Sequence, residues 1–372
     1  MAERLGLSAA DYEPFGRFKA KLAEGLADRL SNRPPAKYVD VTAVSQTPLG
    51  EGKTVTAVGL SMALARLGLR SIVTLREPSL APVFGIKGGG AGGGKAALLP
   101  ADDINLHFTG DIHAVTSAAN LLAAMIDNHA RLRRAPRIDP AGITWRRCID
   151  MSDKGLARII TGVNDIPQAP RRATGVALAA ASEVMAVLAL ASGLQDLRRR
   201  LGRIVIGQDP HGRLVTAEEI GCAGAMAALL KDAVRPNLVQ TCEQTPAIVH
   251  SGPFGNIAHG NSSVVGDLVA TRLCDYVVTE SGFGADCGAE KFFNIKCRAS
   301  GLHPDVEVVV CTVRALKLHS GRFDVRPGKA LPAELTEPNE DALFEGADNL
   351  RGHLEIIRRF GVRAVVAINR FP

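Results

Sequence analysis

Lys53 and Thr54 close the stretch Thr47-Pro48-Leu49-Gly50-Glu51-Gly52-Lys53-Thr54. A tight Gly-rich turn that feeds a Lys-Thr pair aims several backbone N–H groups at one spot, above the positive end of a helix. Lys53 adds a mobile cation, and the Thr54 hydroxyl suits a magnesium ion, so residues 47–54 read as a phosphate cradle. The pattern departs from G-x-x-x-x-G-K-[ST], because Thr47 stands where the first Gly belongs. An ordinary strand–helix turn is the alternative for the bare pattern. Arg76 and Glu77 form a second polar pair, directly after an apolar run. A third group runs from Asp102 to His113, with two His and three Asp in twelve residues. It lacks the His-x-x-x-His of a helical metal face, and Asp111 would serve as a cap for a helix over 113–131. His107, Asp111 and His113 stand between capping and chemistry.

The surrounding pattern says what must position these groups. Val39, Val41, Ala43 and Val44 form a buried strand before the turn, and Thr56 to Leu67 has helical periodicity after it. Ser71 to Leu75 is a second strand, so strand, helix and strand imply a right-handed parallel crossover. Ligands of open α/β sheets bind beyond the carboxyl ends of the strands. Arg76 is therefore expected beside Gly50–Thr54. The run Gly85 to Lys95 holds seven glycines; it reads as a loop allowing close backbone approach to a ligand, or else as a flexible linker. Further strands over 247–250, 275–280, 306–313 and 364–368 end in loops rich in Gly, Asn or acid. Helices are expected over 265–273 and 342–360, with another opening at Lys291. Phe15, Phe18, Leu22, Leu26 and Leu30 predict an amphipathic helix over 13–31. Ala177 to Leu201 predicts one Ala/Leu-rich helix, followed by a strand over 203–206.

The fold class is thus α/β: a P-loop NTPase-like, mostly parallel sheet flanked by helices, with an inserted α/β subdomain. The boundaries are 1–110 and 236–372 for a discontinuous nucleotide-binding domain, and 111–235 for the insert. The 372 residues are 46% hydrophobic and contain no apolar run of membrane-spanning length. The N-terminus carries acidic residues and no apolar core of a signal peptide. Seven cysteines without a C-x-x-C suggest reduced thiols in a cytoplasmic protein and no zinc site. Net charge is +6, with arginines clustered at 131–137, 171–172 and 198–203. Aromatics make up only 4% and none interleave with these clusters. Base stacking is unsupported, and solvated helix ends are the better reading than a nucleic-acid face. The positive balance suits anionic small substrates.

Several stretches together resemble the formate–tetrahydrofolate ligases over nearly the whole chain. They are TPLGEGKT (47–54), LREPSLAPVFGIKGG (75–89), DINLHFTGDIHA (103–114), PNLVQT (236–241), GPFGNIAHG (252–260), GFGADCGAEKFFNIKCR (282–298) and AINRFP (367–372). The resemblance implies that ATP phosphorylates formate and that N10 of tetrahydrofolate then takes the formyl group. It implies magnesium, a monovalent cation (K+ or NH4+) and a homotetramer. It assigns Thr47 to Thr54 to the nucleotide, with Lys53 on the phosphates and Thr54 on magnesium. It gives Arg76 to formate and formyl phosphate, and offers Glu77, Asp111 and His113 for orientation or proton transfer at N10. The glycines of 88–94 and 282–288 would admit phosphates, and Phe371 would stack on the pterin. This chain departs from the family's pattern at Leu49, Val55, Lys95 and Asn261-Ser262. The family also continues past Pro372 with a further domain and a second pterin-stacking aromatic. A chain without that domain is expected either to act as the ligase or to be an impaired remnant that keeps nucleotide binding or subunit assembly.

Overall fold

The computed structural model describes residues 1–85, 87–163, 171–325 and 330–370. Its frame is one mixed sheet. The strands are β1 (Tyr12–Pro14), β2 (Ala20–Leu22), β3 (Lys37–Ala43), β4 (Ser71–Leu75), β5 (Ala96–Leu99), β6 (Asn237–Thr241), β7 (Pro246–Val249), β8 (Tyr276–Glu280), β9 (Val306–Thr312) and β10 (Arg363–Asn369). Their spatial order is β1-β2-β6-β7-β4-β8-β3-β9-β10, with β5 branching from β6. From β7 to β10 every neighbouring pair is parallel. The β1, β2, β5 and β6 side is antiparallel. The sheet is therefore α/β in its parallel half and a meander at one edge.

The principal helices are α1 (Lys53–Arg66), α2 (Asp111–Arg131), α3 (Glu183–Leu190), α4 (Leu194–Gly202), α5 (Ala223–Leu229), α6 (Val264–Ala270), α7 (Val313–His319) and α8 (Glu340–Arg359). Strand residues alternate between the sheet's two faces. Val39, Val41 and Ala43 of β3 pack with Val73, Val278, Val308 and the α1 residues Ala57 and Val58. Tyr38, Ile72, Val277 and Val309 point the other way, toward Phe292, Leu316 and Ile357. A third core joins buried residues between Val115 and Val234 only, including Leu122, Met185, Leu201 and Met226. Among the described residues no helix is long and apolar enough to cross a membrane.

Two predicted helices are corrected. Residues 13–31 form the β1–β2 hairpin and a single turn at Leu26–Arg29. Pro14 and the left-handed Gly16 interrupt helical pairing, and the Phe15 N–H closes the turn on the Lys19 carbonyl at 2.8 Å. Phe15 and Phe18, which set the helical stripe, are exposed. The region 177–201 is broken into α3 and α4. The Ser182 hydroxyl caps α3 by accepting from the Met185 N–H at 3.2 Å, and Ser192-Gly193 separates the two helices. The strand expected at 203–206 lies at Val205–Gln208. From Ala285 to Cys297 the chain winds in wide π-type turns rather than an α-helix.

Asp40 on β3 sits in register with Glu307 on β9, and both carboxyl groups are fully buried. The Ser281 hydroxyl donates to Asp40. Burial, and then the Asp40 charge, hold the Glu307 carboxyl well above the usual carboxylate range. A raised native pKa means that the folded state binds this proton more tightly than the unfolded chain. The resulting stabilisation is full below the unfolded value of about 4.3 and is lost as pH rises through the native one. The melting temperature should therefore fall as pH is raised from about 5 to about 9, and Glu307→Gln should flatten that slope. An unchanged slope in Glu307→Gln, read by differential scanning fluorimetry, would refute this assignment.

Candidate functional site

The turn between β3 and α1 is fixed from both sides. Gly50 and Gly52 take left-handed conformations, with φ of 71° and 79°, which side chains resist. Gly52 precedes α1, and no side chain caps the helix. Its first-turn N–H groups are thus open toward an anion. The Glu51 side chain turns inward. It accepts from the Thr47 hydroxyl at 2.8 Å, the Thr47 N–H at 3.3 Å and the Thr312 hydroxyl at 3.0 Å. Ser45, two residues before the turn, is held by α7 and α8. Its N–H donates to Asn349 Oδ1 at 3.2 Å, its hydroxyl meets Asn349 Nδ2 at 2.9 Å and His353 Nε2 at 3.0 Å, and its carbonyl lies 2.9 Å from His319 Nε2. Pro48 and Leu49 lie between these anchors, with the Leu49 N–H on the Thr47 hydroxyl at 3.3 Å.

Three cations face this turn. Burial lowers the Lys53 pKa against the pull of Glu280 and Glu51, and the Arg76 charge adds to the depression. Burial likewise lowers Arg76, opposed by Glu280. Lys87 is drawn down to about 8, first by the charge of Arg76, then by burial and Lys53. Each of the three feels Glu280 as its compensating carboxylate. The Thr54 hydroxyl donates to Glu280 Oε2 at 2.7 Å. Arg76 donates from Nη1 to the Pro253 carbonyl at 3.2 Å. Its guanidinium lies against Gly282, where an added Cβ would stand 3.2–3.3 Å from Nη2 and Nη1. Lys53 and Arg76 are thus brought together as the sequence predicts. Lys87 and Glu280 were missed. The signal for Lys87 was its place among the glycines of 85–95. That for Glu280 was its position as the last residue of a buried strand.

Glu77 and Asp111 belong to a second cluster. Asp111 opens α2 but caps nothing, since Gly110 occupies the capping position. Its carboxylate accepts from Lys21 Nζ at 2.8 and 3.0 Å and from Asn237 Nδ2 at 2.8 Å. Lys21 Nζ also donates to Asn237 Oδ1 at 2.9 Å and to the Arg235 carbonyl at 3.2 Å. Burial, then the Asp111 charge, push the Glu77 carboxyl well above its usual range. The two carboxyl groups thus lie within each other's field, and the protonated form of Glu77 is favoured there. His113 is exposed, with Nε2 3.4 Å from the Ser117 hydroxyl. His107 is exposed as well. Phe371 lies outside the described residues. Nothing local to Lys21 signalled its partners, which lie 90 or more residues away in the chain.

Among the described residues no three His, Cys, Asp or Glu cluster as a multidentate metal site would require. Thr54 and Glu280 nevertheless supply two hard oxygen donors beside the phosphate turn. That set fits magnesium, which takes one or two protein oxygens together with phosphate oxygens. Arginines of the clusters at 171–172 and 198–203 are engaged in local ion pairs, Arg172 of these being buried. Arg172 pairs with Asp127 at 3.0 Å, Arg198 with Glu218 and Arg200 with Asp196.

The buried Lys21–Asp111 pair yields a stability test. Lys21→Met leaves the Asp111 charge uncompensated, and removal of one partner of a buried pair costs about 3–5 kcal/mol. Urea unfolding should show a loss of that size, whereas a loss under about 1 kcal/mol would contradict a structural role for the pair.

The formate–tetrahydrofolate ligase family model matches residues 1–372. A formate–tetrahydrofolate ligase of Saccharopolyspora erythraea is 55% identical over all 372 residues, which cover 66% of that relative. Formate–tetrahydrofolate ligase 2 of Rubrobacter xylanophilus is 56% identical over 97% of this chain and 62% of its own length. A formate–tetrahydrofolate ligase of Roseiflexus sp. is 54% identical over the full chain and 66% of its own length. The chain thus spans 62–66% of these curated relatives. With the whole sequence matched and more than half of its residues identical to such proteins, the chain belongs to the formate–tetrahydrofolate ligase family.

Proposed function

We propose that this chain ligates formate to tetrahydrofolate at the expense of ATP, through formyl phosphate, giving 10-formyltetrahydrofolate, ADP and phosphate. The observation that carries this reading is the gathering of Lys53, Arg76 and Lys87 around Glu280, above the uncapped start of α1. Phosphoryl transfer asks a protein mainly to hold the reactants and to neutralise charge spread over the moving group. Lys53 and the amides of residues 50–54 hold the ATP phosphates. The Arg76 guanidinium, with its planar fork of N–H groups, clamps formate and then formyl phosphate. Thr54 and Glu280 would hold magnesium, which when bound would offset phosphate charge. Glu77 and Asp111 form a carboxylic acid–carboxylate pair able to take the proton released at N10, and His113 is a further candidate for that role. Phe371 stacks on the pterin in this reading.

The family supports the rest of the picture. It includes a monovalent cation, a homo-oligomer of tetramer type and a cytoplasmic location. A P-loop NTPase-like core made of 1–110 and 236–372 is supported by the strand–turn–helix around Lys53. An insert over 111–235 is supported by the core confined to residues 115–234.

The test is to supply the purified chain with formate, MgATP and tetrahydrofolate and to measure ADP and 10-formyltetrahydrofolate. Both products are expected, and Lys53→Ala should lower formate-dependent ADP release by about a hundredfold or more. ADP without the folate product would limit the chain to the first half-reaction. Absence of both would leave the remnant reading, and undiminished turnover in Lys53→Ala would overturn the cradle.

A further inference from the structure

His259 lies in the loop between β7 and α6, one residue before Gly260. The Gly260 carbonyl accepts from the Gly282 N–H at 3.0 Å, and the Arg76 guanidinium packs against that same Gly282. The imidazole is 1% exposed, yet neither ring nitrogen has a hydrogen-bond partner among the described residues. A buried polar group left this way is costly and calls for an explanation.

The charged neighbours narrow that explanation. Arg76, Lys291 and Lys296 all bear on the ring, and with burial they push its pKa down to about 3. The imidazole is therefore neutral across physiological pH, with one N–H donor and one bare nitrogen. Lys296 is already engaged by Asp267 at 2.5 Å and Ser262 at 3.2 Å, and Lys291 by the Gly255 carbonyl at 2.5 Å. All three cations are donors only, so none can accept the ring N–H. An oxygen of an anion would accept the ring N–H, and Arg76 is a cation bearing on the ring with N–H donors beyond the one given to Pro253.

We propose that His259 is a substrate-contacting residue, donating its ring N–H to an oxygen of the carboxylate or acyl phosphate held by Arg76. This deepens the reading of Arg76 as the formate clamp and rests on it. Because the donor is uncharged, it orients the acyl oxygen without adding to the crowding of positive charge around Lys53, Arg76 and Lys87. It also fixes which edge of a planar anion faces inward.

The primary test is carried out on the unmodified chain. Ring-15N histidine spectra are recorded while sodium formate and inorganic phosphate are added, with the His259 signals identified by their loss in His259→Asn. The expected result is a neutral imidazole whose protonated nitrogen shifts on saturation. Signals indifferent to both anions would overturn the proposal. The kinetic companion is His259→Phe, which keeps the volume and loses the N–H. Losing a hydrogen bond to a charged group should raise the formate KM by about ten- to a hundredfold. The ATP KM should stay within about twofold, and His259→Asn should recover part of the formate affinity. A wild-type formate KM in His259→Phe would contradict the contact. If the wild-type chain turned over no formate, the ligase reading would fall while the spectral titration still decided the role of His259.

Discussion

Lys53, Arg76 and Lys87 are held within one another's fields against their mutual repulsion, and this constraint organises the parallel half of the molecule. Each comes from a different piece of backbone: the start of α1, the end of β4 and the glycine loop beyond it. Glu280, at the end of β8, lies in the strand between β4 and β3 in the sheet. It is the one carboxylate that lowers the repulsion for all three cations. The parallel register of β4, β8 and β3 brings these ends to one edge. The pKa of Lys87 is lowered to about 8, first by the Arg76 charge and then by burial, so positive charge on this edge is not fully balanced by Glu280. An anion placed there relieves that excess, which is how a fold stores affinity for phosphate or carboxylate.

The second charged cluster has the opposite character. Lys21, Asp111 and Asn237 satisfy one another and are sealed from solvent at the junction of the antiparallel edge and α2. Glu77, next in sequence to Arg76, belongs to this cluster. Arg76 and Glu77 thus face two different charged clusters from one strand end. Arg76 lies in the field of Glu280, while Glu77 lies in that of Asp111.

The placement of the 47–54 turn and of Arg76 was more legible in the sequence than the architecture around them. The turn 47–54 and Arg76 were readable because a strand, a Gly-rich turn and a helix constrain direction locally, and because ligands gather at strand ends. The helix over 13–31 was misread because its periodicity came from Phe15 and Phe18, which end up exposed, while Pro14 and Gly16 set the actual turn. Ala177–Leu201 was merged into one helix because its composition outweighed the Ser182 cap and the Ser192-Gly193 break. Lys21 and His259 were beyond reach for a different reason. Their significance lies in partners 90 or more residues away for Lys21, and in the lack of a ring hydrogen-bond partner among the described residues for His259. The inward turn of Glu51 was similarly hidden, since a charged residue in a phosphate loop suggests contact with ligand rather than with Thr47 and Thr312.

The central claim is that three converging cations, and not the loop alone, create the anion site. Calorimetric titration of MgATP into the wild-type chain and into Lys87→Met tests it most directly, because Lys87 lies outside the 47–54 turn. The account predicts binding weakened by about tenfold or more in the variant, as expected for a lost hydrogen bond to a charged group, with the fold intact by circular dichroism. Equal dissociation constants for the two proteins would contradict it.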